Sequence, residues 1–128
     1  MCWAGRRKCN IAEEDITVYK YLDEDHNSPI LNYHYCKNEL CEKVLLKPMS
    51  AYKKICIDWD KDVIDVYPYI FIYCGYHSYI KEPKKKPFYF PINSTLYKFI
   101  IPKGSEYYIN IKGEIVSNQI IFTGEKAE

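Results

Sequence analysis

The chain has 128 residues, 48% hydrophobic and 16% aromatic, with a formal net charge of +1. One domain fits that length, and abundant apolar residues at near-zero charge exclude intrinsic disorder. The charge also speaks against a dedicated nucleic-acid binder, whose footprint is strongly basic, and no stretch approaches the ~20 apolar residues that cross a bilayer.

Residues 1–10 are basic and lack apolar periodicity, so they read as a possible flexible arm. No apolar run follows Arg6, Arg7 and Lys8, so no secretory leader is expected. Residues 16–22, Ile-Thr-Val-Tyr-Lys-Tyr-Leu, are β-branched and aromatic and predict the first strand. The polar run 23–29 ends in Pro29 and predicts a loop. Residues 30–36, with Leu31, Tyr33 and Tyr35 alternating, predict a weaker strand. Short strands are expected at 42–47 and 52–58, and one helical turn within 59–65. Asp58, Asp60, Asp62 and Asp65 there lack the glycine and distal glutamate of a calcium loop and read as solvated charge. The aromatic stretch 66–80 is expected to split or bend at Gly75. Lys84, Lys85 and Lys86, between Pro83 and Pro87, read as an exposed solubilising loop. Strands at 96–101, 106–111 and 114–122 follow, joined by tight turns at 102–105 and 112–113.

Seventeen Ile and 14 Tyr against 6 Leu and 4 Ala favour strands over helices. The expected fold is therefore mainly β, with α+β as the alternative. It is a single compact antiparallel sheet domain over 1–128 with at most one or two short helices. The six cysteines (Cys2, Cys9, Cys36, Cys41, Cys56, Cys74) read as free thiols in an intracellular protein, Cys56 and Cys74 as packing residues within strands. His34, Cys36 and Cys41 supply three zinc-type ligands without the second close pair of a structural site, so neither metal nor cofactor is expected.

Three blocks carry a resemblance. Met1-Cys2 with residues 12–20 (Ala-Glu-Glu-Asp-Ile-Thr-Val-Tyr-Lys), then Gly75-Tyr76-His77-Ser78-Tyr79, then residues 100–110 (Ile-Ile-Pro-Lys-Gly-Ser-Glu-Tyr-Tyr-Ile-Asn) with Gly113-Glu114-Ile115-Val116-Ser117, stand in order. The set resembles small uncharacterised proteins of gut bacteria and their phages, and residues 37–65 depart from that pattern. The resemblance implies a phage or mobile-element origin and a cytoplasmic location in a bacterial host cell. For a protein of that origin the expectation is non-catalytic binding: inhibiting or sequestering a host defence protein or a nucleotide signal.

Chemistry at single residues is sparse. His77 could serve as a general base and Ser78 as a nucleophile, but neighbours on a strand point to opposite faces. An early Val-Tyr-Lys strand, a central aromatic-His-Ser strand and a late acidic residue resemble the motif order of ADP-ribosyltransferases. That alternative, an NAD-dependent enzyme, would use Tyr19, Lys20, His77, Ser78 and Glu106 or Glu114. The binding reading instead takes Tyr76, Tyr79, Tyr107 and Tyr108 as contact surface, with Lys20, His77 and Lys103 as anion-reading neighbours. Partners would be a host bacterial protein or a small nucleotide, with no membrane and no nucleic acid. Exposed strand edges also allow a homo-oligomer.

Overall fold

A computed structural model describes residues 3–6, 8–28, 33–58, 63–86, 90 and 93–127, with side chains described outside 50–69. Ten strands form two antiparallel sheets, and no helix occurs among the described residues. The strands are β1 (Trp3–Arg6), β2 (Asn10–Ile11), β3 (Ile16–Leu22), β4 (Met49–Asp58), β5 (Val63–Ile72), β6 (Tyr76–Tyr79), β7 (Thr95–Ile101), β8 (Glu106–Ile109), β9 (Glu114–Ser117) and β10 (Ile121–Lys126). The small sheet has the order β1-β5-β4, and the large one β10-β7-β3-β6-β9-β8-β2. No described helix is long and apolar enough to cross a membrane.

Alternation builds the core. Tyr97, Phe99 and Ile101 of β7 are buried at every second position. With Val18 and Leu22 of β3, Ile115 of β9 and Phe122 of β10, they form one apolar cluster. Phe99 stacks on Phe122 with centroids 5.0 Å apart. His26 closes over the cluster, edge-on to Tyr97 and Phe122 at 5.3 and 5.0 Å. It reaches there from a left-handed backbone conformation, in a loop where Asp23 Oδ1 accepts the N–H groups of Asp25 and Asn27. A second cluster, Trp3, Leu46, Ile70, Ile72, Tyr108 and Val116, joins the small sheet to the large one.

The structure corrects several sequence expectations. Within the basic start, residues 3–6 are a strand paired with β5, and Trp3 is only 2% exposed. The Trp3 indole donates to the Glu114 carbonyl at 2.8 Å, and Asn110 Nδ2 donates to the Ala4 carbonyl at 3.0 Å. Trp3 is the buried anchor of this docking, and apolar periodicity does not register a lone tryptophan. Residues 42–47 are irregular rather than a strand. They belong to a strap, residues 33–48, bonded to the 118–122 region through Asn38 N to Phe122 O, Cys41 N to Ile120 O and Val44 N to Asn118 O. The expected strand at 30–36 reduces to an isolated bridge between Asn27 and His34, its first three residues lying outside those described. Residues 63–65 belong to β5 instead of a helical turn, and 59–62 lie outside the described residues. The expected strand 114–122 breaks at 118–120, where Asn118 Oδ1 accepts the Glu106 N–H at 2.9 Å. Cys74 lies in the bend after β5 rather than in a strand, and Cys2 and the Cys56 side chain lie outside the described set.

The split at Gly75 is as expected, with a physical reason. Its φ of +92° suits glycine, and a Cβ there would lie 2.5 Å from Leu46 Cδ2 and 2.9 Å from Val116 Cγ2. The turn at 102–105 closes with Ser105 N donating to Pro102 O at 3.1 Å.

Candidate binding site

The large sheet is pinched at its centre. Strands β3 and β6 meet in register only at Tyr19 opposite Tyr79, whereas β3 and β7 pair along seven residues. Beside the pinch Lys20 replaces a ladder bond, its Nζ donating to the His77 carbonyl at 2.6 Å. The ammonium also lies 5.9 Å from the Tyr35 ring centroid. Burial pushes the Lys20 amine down to about 8, against a smaller opposing pull from Cys41.

The sequence grouping of Lys20, Tyr76 and His77 is therefore met in space, but largely inside the protein. Tyr76 is buried, stands 6.1 Å from Tyr33 in an edge contact and donates from its hydroxyl to the Glu42 carbonyl at 2.6 Å. Burial pushes its phenol up, as it does for Tyr35. Burial likewise raises the Cys41 thiol, while the Tyr33 hydroxyl bonded to it lowers it. The strap thus seals this polar group under Tyr35 and Cys41. A tyrosine-rich strand read as surface becomes partly core because residues 33–48 lie over it.

His77 and Ser78 sit on opposite faces, as strand geometry requires. His77 shares its face with its register partner Val116, which belongs to the cluster joining the two sheets. Its Nε2 is buried without a partner, and burial, then Lys20, lowers the ring to about 4, against the backbone of Tyr73 and Cys74. Ser78 is buried on the other face with its hydroxyl unpartnered within the protein.

The remaining candidates disperse. Lys103 lies in the 102–105 turn, its N–H donating to Asp15 Oδ1 at 2.8 Å. Tyr108 is buried with its ring 5.6 Å from Trp3. Tyr107 lines an open groove of about 770 Å³ with Asn10, Ile11 and the carboxylates Glu13, Glu14 and Asp15. Of the residues in the ADP-ribosyltransferase order, Lys20 touches His77, and Tyr19 and Glu114 both stand opposite Tyr79. Glu114, opposite Tyr79, is held by Asn110 Nδ2 at 3.0 Å, and exposed Glu106 pairs with Ile11 two strands beyond β9. His34 Nδ1 lies 2.8 Å from Asn27 Oδ1, and the described residues include no group of three His, Cys, Asp or Glu that could hold a metal ion.

Two surfaces escaped sequence reading. The strap exposes Tyr33, Leu40 and Leu45, β4 begins at exposed Met49, and β5 runs out into exposed Tyr73. Cys74, next to Tyr73, is tied to the end of the strap: its Sγ donates to Leu45 O at 3.1 Å and accepts Lys47 N–H at 3.3 Å. The other surface is a groove of about 430 Å³ that brings Lys84 and Lys86 to Lys126, forty residues later. The lysine triplet was legible, but its partner across the groove depends on the β7–β10 pairing. Comparison with known protein families, curated proteins and solved structures returns no match.

Proposed function

We propose that this chain is a phage or mobile-element accessory protein that acts by non-catalytic binding, inhibiting a host bacterial protein in the cytoplasm. The observation that carries the reading is the apolar ridge around Cys74, where Leu45, Tyr73 and Met49 are 71%, 59% and 51% exposed. Large apolar and aromatic side chains gathered on one surface are costly in water and are characteristic of protein interfaces, where Met and Tyr are enriched. The backing is firm. Leu46 and Val44 turn inward from the strap to the core, so the outward residues sit on a fixed base. The blocks resembling phage and gut-bacterial proteins supply the origin. Leu45 and Met49 fall in the stretch that departs from them, which suits a surface matched to a particular partner.

The test is affinity capture from a bacterial host lysate with the wild-type chain and a Leu45→Ser/Met49→Ser/Tyr73→Ser variant. The expected result is one host protein held in stoichiometric amount by the wild type and absent with the variant, whose circular dichroism is unchanged. Capture that persists in the folded variant, or no stoichiometric partner, refutes the proposal.

A further inference from the structure

We infer that the groove among Lys84, Lys86, Ser94 and Lys126 binds a phosphorylated small molecule of nucleotide size. This site is separate from the apolar ridge and stands on different observations. Its volume of about 430 Å³ falls within the range of small-molecule sites and exceeds what a lone phosphate group needs. Three lysines from two distant parts of the chain line it. Lys84 and Lys86 come from the loop after β6, and Lys126 from the end of β10.

Backbone geometry fixes both walls. The β7–β10 register shifts between Phe122 and Lys126, and Gly124 takes a φ of +80° at that irregularity. That positive φ is one L side chains rarely adopt, so this re-aiming of the strand end depends on glycine. Beyond it, Ala127 N–H donates to Leu96 O at 2.9 Å and pins the chain next to Lys126. On the other wall Lys86 Nζ donates to the Ser94 carbonyl at 3.2 Å, tying the lysine loop to the start of β7.

Two features point to a ligand rather than to solvated charge. Ser94 lines the groove at only 8% exposure, and its hydroxyl has no hydrogen-bond partner within the protein. A buried hydroxyl is costly unless something bonds it, and a phosphate oxygen is a fitting acceptor. Neither Lys84 nor Lys126 forms an ion pair with another described residue. Glu82 on the same wall would repel a bare polyphosphate. It suits the hydroxyl or amino hydrogens of a sugar or base, so the ligand carries an organic part as well as phosphate.

Isothermal titration of the full chain at fixed ionic strength tests this, with ATP, cyclic AMP, cyclic di-AMP, inorganic pyrophosphate and adenosine as probes. The expected result is saturable binding of at least one of the three nucleotides, tighter than pyrophosphate, and none of adenosine. Lys84→Gln/Lys126→Gln should weaken it at least about tenfold, because two of the three cations that meet the phosphate are then neutral. Both lysines are exposed, so the melting temperature of the free variant should be unchanged. The Leu45→Ser/Met49→Ser/Tyr73→Ser variant should bind the same nucleotide as the wild type. Silence with all three nucleotides, equal affinity in the lysine variant, or pyrophosphate binding as tightly as any nucleotide would overturn the inference.

Discussion

Acidification should weaken this fold through one side chain, His77. In the unfolded chain its imidazole takes up a proton near 6.5, whereas in the fold the ring is lowered to about 4 by burial and then by Lys20. Between those values the unfolded chain binds a proton that the folded one refuses. Stability is therefore full above pH 6.5 and declines as the pH falls towards 4. A shift of that size sets a ceiling of about 3 kcal/mol, at about 1.4 kcal/mol per tenfold. Because the ring is half-buried, screening by solvent reduces the expected loss to about 1–2 kcal/mol. Urea unfolding midpoints of the wild type and His77→Gln, compared from pH 7.5 to 4, isolate the contribution, since carboxylate titration is common to both chains. The wild type should lose about 1–2 kcal/mol more than the variant across that window. Parallel curves would refute the claim that His77 is held neutral by its surroundings.

Other outcomes rest on the same geometry. Lys20→Met removes a cation that opposes His77 protonation, so the His77 ring should titrate at higher pH, read by imidazole proton shifts in NMR. Trp3→Ala should cost about 3–5 kcal/mol by denaturant unfolding, because the indole is buried between the sheets; a change within about 0.5 kcal/mol would restore the flexible-arm reading. Gly75→Ala should destabilise by about 2 kcal/mol or more, as the new methyl meets Leu46 and Val116 at a positive φ. Phe122→Ala, emptying the stack with Phe99, should cost about 3–5 kcal/mol in the same assay.

How far the sequence reaches can be traced residue by residue. The alternation in 16–22 and 96–101 is enough to place β3 and β7, because burial on a sheet face repeats every second residue. Gly75 marks a break because a tight reversal needs a residue without a side chain. The strap at 33–48 is different. Its bonds run to residues 118–122, some eighty positions away, and its own pattern mimics a strand while its backbone touches the sheets only through isolated bridges of Lys37 and Leu40 to β10. Of the candidate site, Lys20 and His77 were visible as residue types suited to reading anions. That Lys20 spends its ammonium on a backbone carbonyl, and that Tyr76 and Tyr108 are core, depends on what covers them.

Isoleucine and tyrosine at alternating positions, punctuated by glycine and proline turns, commit this chain to antiparallel sheets, because local sterics and face periodicity act over a few residues. Which of its tyrosines and lysines meet solvent is settled later, when distant segments pack. Strand order brings Lys126 beside Lys84, and the strap covers Tyr76 while lifting Leu45 outward. Exposure is a property of pairings between distant segments, and no local pattern of residues encodes it.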